Sequence, residues 1–390
     1  MTRTTGATGG PLSGLVVADF SRIVAGPLCT MLLGDLGADV IKVESPAGDD
    51  TRTFTPPVRD DVSTYYMAVN RNKRSIALDL ADEADLAVGR SLALTADVFV
   101  HNFKVGGMER YGLGYADVSA ANPGIVYCAI SGFGSREGAA LPGYDLLIQA
   151  VSGMMSMTGD ADGPPLRAGI SAVDVMTGLH ATIAVLAALN HRARTGEGQF
   201  VELDLLTSAL SSMINQTSAY VAGDVVPGRM GNEHPSLFPY GPFPTADREL
   251  IVVTGNDRQY RTLCTALGRP ELGTDPRYVT VGLRNRNRDE LRPELEKVLA
   301  TRGADEWADL LAKAGLPCGP INDVRGGVEL ATRLGLDPVV DVDGVPMVRN
   351  PATYSLTPPQ YRHRPPTLDN AGEDIRAWLT SRASPRDPAQ

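Results

Sequence analysis

Cysteine is scarce in this sequence, and the few cysteines are widely separated. The chain of 390 residues contains four of them (Cys29, Cys128, Cys264 and Cys318) and no CxxC pair. A disulfide framework and a structural zinc site are therefore both disfavoured. The five histidines show no HxH or HxxxH spacing either, so no metal site is predicted. These absences favour a cytoplasmic protein.

Several motifs that mark common enzyme classes are also absent. No GxGxxG follows the first predicted strand, where residues 19–27 read DFSRIVAGP. The sequence has no P-loop, no HExxH and no GxSxG elbow. These absences disfavour a dinucleotide-dependent dehydrogenase, a kinase and a zinc enzyme.

Long hydrophobic runs and an excess of positive charge are lacking as well. No apolar run approaches the roughly 20 residues that a membrane-spanning helix needs, and residues 1–14 show no signal-peptide apolar region. The formal net charge of −10 disfavours a nucleic-acid partner. With an apolar share of 43%, the composition is typical of a soluble globular protein with no membrane partner.

The cations are nevertheless concentrated in one short segment. Arg71, Lys73 and Arg74 lie within four positions, and Lys104 and Arg110 follow. Such a cluster could bind a phosphorylated ligand or could be a solvated surface. The pattern alone leaves both alternatives open.

Apolar β-branched runs alternate with helical patterns through the first half of the chain. This alternation predicts an α/β fold with a largely parallel sheet and helices on both faces. Helical patterns include Pro27–Leu36 and Ala81–Thr95, and residues 145–223 are mainly helical. The predicted strands are Leu15–Phe20, Val40–Val43, Ser75–Leu80, Val98–Asn102, Ile125–Ile130 and Phe200–Leu205.

A segment dense in glycine and proline, Val225–Pro244, reads as a linker that crosses to a second unit. That unit opens with a predicted strand, Leu250–Thr254. Three helical patterns follow it: Arg258–Leu267, Arg288–Thr301 and Asp305–Ala314.

These patterns predict two domains. A large α/β domain is expected over residues 1–222, completed by residues 330–390, and a smaller α+β domain over residues 223–329. The proline-rich segment Pro351–Pro366 is too extended to pack alone and is expected to wrap another surface.

One carboxylate stands directly ahead of a long, mostly apolar helical run. Asp174 precedes Val175–Gly178, where the helix is predicted to begin. Asp174 is therefore a helix N-cap, an anionic nucleophile beside a helix N-terminus, or both. Donors of the helix start would keep its carboxylate ionised. An ionised aspartate can attack a thioester, which gives a mixed anhydride and a free thiolate.

The sequence around Asp174 resembles the core of the family III CoA-transferases. In that family the nucleophilic aspartate lies between a GPPxxxG segment and a TGxGQ segment, here Gly163–Gly169 and Thr195–Gln199. The resemblance covers nearly the full length and implies that Asp174 is the nucleophile of a CoA-transferase. The other segments that resemble family motifs are Asp19–Pro46, Asn70–Leu80, Asn102–Leu113 and Gly315–Val324.

The resemblance also implies which residues bind coenzyme A. Leu78 would give an apolar wall for adenine, and Lys104 and Arg110 would contact the 3′-phosphate or the pyrophosphate. Phe103 is expected to pack under the sheet rather than to stack on adenine. The residues implied for CoA binding are Ala25, Leu78, Asn102, Phe103, Lys104, Arg110 and Arg74.

Tyr144 and Asp145 occupy the position that resembles a Tyr-Glu pair of the formyl-CoA branch, which implies a catalytic role beside Asp174. From the pattern alone, Tyr144 could equally be a buried tyrosine, and Asp145 the N-cap of the helix through Gln149. The related 2-methylacyl-CoA racemases have a histidine acid/base at the first position. Tyrosine, with a pKa of about 10, is a poor replacement, so a racemase or epimerase is the alternative function.

Three departures from the formyl-CoA branch weaken oxalate as the acceptor. Val24 replaces a glutamine, Ser45 an arginine and Pro142 a lysine. Gly231–Phe243 instead resembles members that handle dicarboxylates such as succinate and glutarate. The resemblance therefore implies an acyl-CoA donor such as succinyl-CoA and a small carboxylic or dicarboxylic acid as acceptor.

Coenzyme A is then a substrate, and no permanently bound cofactor is expected. The resemblance further implies that the large domain is Rossmann-like and that the protein forms an interlocked homodimer. A non-catalytic CoA-binding subunit is the remaining alternative, and the presence of Asp174 counts against it.

Overall fold

The structure is a computed structural model, and it describes residues 9–383. Its strands are β1 (Val16–Asp19), β2 (Asp39–Glu44), β3 (Val58–Arg59), β4 (Val62–Ser63), β5 (Lys73–Ala77), β6 (Val98–His101), β7 (Val126–Ser131), β8 (Gln199–Asp204), β9 (Tyr240–Pro244), β10 (Glu249–Val253), β11 (Cys318–Pro320), β12 (Val339–Val342) and β13 (Val345–Val348). Its helices are α1 (Ala25–Asp35), α2 (Thr64–Met67), α3 (Glu83–Thr95), α4 (Tyr115–Ala121), α5 (Asp145–Val151), α6 (Ala172–Thr195), α7 (Leu205–Ser212), α8 (Asn215–Gly223), α9 (Asp257–Ala266), α10 (Val281–Arg286), α11 (Arg288–Leu299), α12 (Ala304–Lys313), α13 (Val324–Arg333) and α14 (Gly372–Ala383).

A six-stranded parallel sheet has the strand order β5-β2-β1-β6-β7-β8. Strands β1 (VVAD) and β6 (VFVH) are buried throughout, as expected where helices cover both faces of a parallel sheet. The predicted α/β fold with a parallel sheet is confirmed. The strand order reverses between β1 and β6, because the chain builds outward from β1 first through β2 and then through β6.

Two apolar clusters cover the two faces of this sheet. One contains Val17 and Val98 together with residues of α1 and α6, and the other contains Val16 and Phe99 with residues of α3 and α14. Successive side chains of a strand point to opposite faces of the sheet, so β1 contributes apolar side chains to both clusters. This double burial explains why the strands show continuous rather than alternating hydrophobicity.

The described residues divide into two compact units. The first comprises residues 9–154, 167–225 and 337–383 and contains the parallel sheet. The second comprises residues 155–166 and 226–336. It has a three-stranded antiparallel sheet in the order β11-β10-β9 and a core built largely from α9, α11 and α12. Residues 155–166, which the sequence placed in the large domain, group with this second unit.

Part of the predicted linker is a strand. Tyr240–Pro244 forms β9, pairs with β10 in antiparallel orientation and buries Phe243 completely. The sequence YGPFP concealed this strand, because proline is depleted from strands. It is tolerated here because β9 lies at the edge of the sheet, where a missing N–H group need not break a ladder.

Helix α6 is long and apolar. It has 24 residues, and an 18-residue window of it has a mean hydropathy of 1.7. By length and composition alone this helix could cross a membrane, so the statement that no apolar run approaches a membrane span was wrong. Half of that window is buried inside the protein, with Val173, Ala181 and Val185 in the core, as in the central helix of a globular domain.

The proline-rich segment Pro351–Pro366 lies along a surface of its own chain. The Gln360 N–H donates to the Asp35 carbonyl (2.8 Å), and the Asn72 N–H donates to the His363 carbonyl (2.9 Å). Arg362 reaches the Ala38 carbonyl (2.6 Å). The segment therefore binds the end of α1 and the residues that precede β5.

Candidate functional site

The candidate site is a cavity at the carboxyl ends of the parallel strands. In open α/β sheets, ligands bind in the crevice where the strand order reverses. Here the residues that follow β1, β6 and β7 enclose a cavity of about 200 Å³ together with the starts of α5 and α6. Its lining includes Arg22, Val24, Ala25, Asn102, Phe103, Lys104, Phe133, Tyr144, Asp145 and Asp174.

Asp174 reaches this cavity from the third position of α6. Ser171 occupies the N-cap position, so the N-cap interpretation of Asp174 was wrong. The side chain is 9% exposed, and no hydrogen bond or ion pair from residues 9–383 reaches its carboxylate. A buried carboxylate without a partner is costly, and such groups are concentrated at functional sites.

Asp145, the first residue of α5, caps α6 from outside that helix. Its Oδ1 accepts the backbone N–H groups of Val173 (2.8 Å) and Asp174 (3.2 Å), two of the donors that a helix start leaves unpaired. The Ser171 side chain makes no capping bond. The donors that were expected to stabilise the Asp174 carboxylate therefore bind Asp145 instead.

Burial and the neighbouring Asp145 together raise the pKa of Asp174 to about 7. Burial has the larger effect because it penalises the charged form, and Asp145 adds repulsion between two negative charges. The partial positive charge at the start of α6 acts in the opposite direction. Asp174 therefore holds its proton to a higher pH than an ordinary aspartate does.

Tyr144 precedes α5 and is 69% exposed. The alternative of a buried tyrosine was therefore wrong. Asp145 lies inside α5 rather than at its N-cap, which is Tyr144. Tyr144 and Asp145 line the same cavity as Asp174. The structure thus brings the three predicted catalytic residues together, while their roles in catalysis stay predictions.

Four of the residues implied for CoA binding also line the cavity: Ala25, Asn102, Phe103 and Lys104. The Asn102 side chain makes two hydrogen bonds to the Arg22 backbone: its Oδ1 accepts the Arg22 N–H (2.9 Å), and its Nδ2 donates to the Arg22 carbonyl (2.7 Å). Phe103 packs in part against the apolar core. Lys104 is exposed at the cavity and is available to an anionic ligand.

Leu78, Arg74 and Arg110 do not line this cavity. Leu78 is 2% exposed and packs in the core between the sheet and α3, so it has no free face for adenine. Arg74 forms an ion pair with Asp39 (2.6 Å) near the amino ends of β5 and β2. Arg110 donates to the Tyr111 hydroxyl (2.6 Å) and stacks on its ring. Burial therefore contradicts the predicted adenine contact of Leu78, while the CoA contacts implied for Arg74 and Arg110 stay predictions.

The cations around residues 71–74 form ion pairs with aspartates. Arg71 pairs with Asp35 (2.6 Å), and Lys73 with Asp19 (3.0 Å). Both pairs are buried, in keeping with the rule that a charge inside a protein needs a partner. For Arg71 and Lys73, the prediction of a solvated surface and the prediction of a phosphate-binding site were therefore both wrong.

Buried charges also hold the turn that borders the cavity. Asp19 accepts the Ser21 N–H (3.0 Å), and the Lys42 ammonium donates to the Ser21 carbonyl (3.0 Å) and to Asp49 (2.9 Å). Asp49 in turn accepts the Ile23 N–H (3.3 Å). Ile23 has φ 70°, a left-handed conformation that is costly for a β-branched residue. The ion pairs thus stabilise a strained backbone at the site.

Two features of the cavity were not predicted from the sequence. The first is Arg22, whose half-exposed guanidinium lines the cavity. Its position shortly after the first strand was the one sign in the sequence that it could lie at the site. Residues 133–142 form a loop along the cavity whose two ends meet. A Cβ on Gly132 would lie 2.5 Å from the Gly143 Cα, so only glycine fits at this contact.

Comparisons with known sequences agree over nearly the whole chain. A family model described as CoA-transferase family III matches residues 12–374. An acetyl-CoA:oxalate CoA-transferase of Acetobacter aceti is 39% identical over 381 residues, which cover 96% of this chain and 98% of the relative. A succinate–glutarate CoA-transferase of Agrobacterium fabrum is 39% identical over 394 residues, which cover 95% of this chain and 96% of the relative.

Solved structures show the same architecture. A crystal structure of a CAIB/BAIF family protein from Brucella suis has a TM-score of 0.85 and 41% identity, and the match covers 95% of this chain and all of that one. A crystal structure of Rv3272 from Mycobacterium tuberculosis has a TM-score of 0.86 and 32% identity, and the match covers 94% of this chain and 99% of that one.

Proposed function

This chain belongs to CoA-transferase family III, and we propose that Asp174 is the nucleophile through which it moves CoA from an acyl-CoA donor to a small carboxylic or dicarboxylic acid. One observation carries this proposal: a buried carboxylate with no partner among the described residues lines a cavity at the reversal of the strand order. The family resemblance read from the sequence is confirmed.

In the first half of the proposed reaction, the Asp174 carboxylate attacks the thioester carbonyl of the donor. The C–S bond breaks, and the products are a mixed anhydride on Asp174 and the CoA thiolate. The thiolate then attacks the aspartyl carbonyl. This step releases the donor acid as a carboxylate and leaves CoA on Asp174 as an aspartyl thioester.

The second half repeats these steps in reverse with the acceptor. The acceptor carboxylate attacks the aspartyl thioester, which forms a second mixed anhydride and frees the thiolate. The thiolate attacks the acceptor carbonyl, and this step yields the new acyl-CoA and restores the Asp174 carboxylate. The overall reaction exchanges one thioester for another of similar energy, so no ATP is needed.

The site chemistry supports these roles. A carboxylate with a raised pKa is a stronger nucleophile than an exposed aspartate, because burial removes the water that would stabilise its charge. Lys104 and Arg22 at the cavity can bind the phosphates of CoA. Succinyl-CoA is the proposed donor and a dicarboxylate the proposed acceptor, although relatives named for oxalate and for glutarate are equally similar.

The test is mass spectrometry of the purified protein after incubation with succinyl-CoA and other acyl-CoAs, followed by trapping with hydroxylamine. We expect a hydroxamate that maps to Asp174 and is lost in Asp174→Ala. Asp309→Ala, which removes an exposed aspartate in the second unit, is the matched control and should keep the adduct.

Two outcomes would contradict the proposal. One is the absence of an adduct with every donor, together with α-proton exchange on a branched acyl-CoA, which would point to racemase chemistry. The other is an adduct that survives in Asp174→Ala. The proposed interlocked homodimer is tested separately by light scattering, which should give twice the chain mass of 41.4 kDa.

A further inference from the structure

Gln149 is fully buried beside the candidate nucleophile and uses both ends of its amide. On α5, it lies one helical turn after Asp145. Its Nε2 donates to Asp145 Oδ2 (2.6 Å) and to the Ile170 carbonyl (3.3 Å), and its Oε1 accepts the Ala168 N–H (2.8 Å). One side chain therefore ties α5 to the segment that leads directly into α6.

The two oxygens of Asp145 have separate tasks because of this contact. Oδ2 is held by Gln149, and Oδ1 accepts the Val173 and Asp174 N–H groups at the start of α6. We infer that Gln149 is a positioning residue for the transfer reaction: it orients Asp145 so that this carboxylate caps α6 and Asp174 is left without a hydrogen bond. Gln149 does not line the cavity, so it acts through Asp145 rather than on substrate.

The direction of its effect follows from the contacts. Without Gln149, Asp145 can rotate away, and the Val173 and Asp174 N–H groups become free to bind the Asp174 carboxylate. Repulsion by Asp145 then falls and hydrogen bonding to the charged form rises, and both changes lower the pKa of Asp174. A less basic, hydrogen-bonded carboxylate is a weaker nucleophile.

Other charged groups near Asp174 are few among the described residues. Arg22, Asp50 and Lys104 line the same cavity. On the elements packed against α6, Asp35 of α1 pairs with Arg71, and Asp204 of β8 caps α7. The remaining titratable side chains of these elements are Cys29, Tyr127, Cys128, and Glu202. Asp145 is the only one of these groups that raises the pKa of Asp174.

This inference rests on the proposed nucleophile, but its first test needs no acyl-CoA. A water-soluble carbodiimide with an amine labels protonated carboxyl groups, so the labelling of Asp174 against pH, read by peptide mass spectrometry, reports its titration. We expect a midpoint near 7 in the native protein. In Gln149→Met, which removes all three hydrogen bonds at similar length, the midpoint should fall by about one unit or more.

The second readout is kinetic. Gln149→Met should lower kcat at least about tenfold and leave KM for acyl-CoA within about threefold, because substrate contacts are unchanged. In an Asp145→Ala background, the same substitution should shift the midpoint no further, since Gln149 then has nothing to orient. Gln259→Met, which removes an exposed side-chain amide contact with the Gly255 N–H in the second unit, is the control for the substitution itself.

Thermal melting establishes that each variant is folded. If Gln149→Met does not fold, Gln149→Asn replaces it, because Asn keeps the amide but is too short to hold Asp145 and residues 168–170 together; a smaller shift in the same direction is expected. An unchanged midpoint with kcat within twofold of the native value would overturn the role of Gln149. Absence of a covalent adduct in the native protein, with the midpoint shift present, would overturn the proposed nucleophile and leave the positioning role standing.

Discussion

Asp174 differs from the other buried aspartates described here because no cation pairs with it. Asp19, Asp35 and Asp49 each form an ion pair with a lysine or arginine, whereas the one charged group that shifts the pKa of Asp174 is the like-charged Asp145. At the scale of the residue, the ionised form of this one carboxylate is therefore destabilised, as the proposed nucleophile requires.

A pH dependence of adduct formation follows from the raised pKa of Asp174. Only the ionised carboxylate attacks the thioester, so the single-turnover rate should rise with pH and level off above about 7. Quenched-flow measurements between pH 5 and 9, with the acyl-CoA saturating, would show this. A rate that is flat from about pH 5 upward would mean that Asp174 titrates as an ordinary aspartate.

Asp174→Asn should stabilise the protein at neutral pH. The folded-state pKa of about 7 lies above the unfolded value of 3.8, so the folded state binds more protons between these values and stability falls as pH rises through this window. The substitution removes that penalty, of the order of 2–4 kcal/mol at pH 8. Thermal melts should show a higher Tm at pH 8 and little difference below pH 4.

Asp49→Asn makes the same chemical change at a buried aspartate whose pKa is lowered rather than raised. Burial alone would raise the pKa of Asp49, but Lys42 and the Thr51 donors outweigh burial and lower it. This variant should therefore lose stability at neutral pH. If both variants moved Tm in the same direction, the substitution rather than the charge would explain the effect.

At the scale of the element, the close contact of α1 and α6 places Asp174, the proposed nucleophile, against the turn after β1. Gly178 of α6 packs on α1, and a Cβ there would lie 2.7 Å from the Ala25 carbonyl oxygen and 3.2 Å from the Leu28 Cβ. Both helices line the cavity, through Ala25 and Asp174. Their separation therefore sets the width of the site.

Gly178→Ala should push these helices apart. We expect a loss of about 1–3 kcal/mol in the free energy of unfolding, as for other overpacked contacts, and a fall in kcat. Chemical denaturation and steady-state kinetics measure the two effects. Gly282→Ala in α10, where a Cβ would meet nothing within 4 Å, is the matched control and should be neutral or slightly stabilising.

The elements differed in how far the sequence could predict them. Strands β1, β2, β6 and β7 were predicted because burial on both faces leaves mainly apolar runs, whereas the edge strands β5 and β8 carry more polar residues and only their β-branched and apolar positions indicated them. Strands β12 and β13 have four residues each and are separated by only two residues, so the sequence showed no long apolar run there. Strand β9 was missed because its sequence contains two prolines. The meeting of Asp145 with the start of α6 was also missed, because side-chain capping between residues 28 positions apart leaves no local pattern.

At the scale of the whole molecule, buried ion pairs join segments that are distant in sequence. Lys73 of β5 binds Asp19 at the end of β1. Arg52 binds Glu44 of β2 and also donates to the Pro366 carbonyl (3.1 Å) in the proline-rich segment. Loss of one charge therefore weakens the sheet and the packing of the C-terminal segment together.

Adjacent cations on β5 should then differ sharply on substitution. Lys73→Met leaves Asp19 buried and unpaired and should cost about 3–5 kcal/mol, whereas Arg74→Met breaks a partly exposed pair with Asp39 and should cost about 0–1 kcal/mol. Urea denaturation measures both. An increase in KM for acyl-CoA in Arg74→Met would support the predicted contact of Arg74 with CoA.

The loop of residues 133–142 begins after β7 and ends just before α5, and its two ends meet where Gly132 and Gly143 touch. Its length and composition can therefore change without displacing β7 or α5, while Asp174 lies on a separate helix, α6. Exchange of this one segment between family members is accordingly expected to change the lining of the cavity while Asp174 keeps its place on α6.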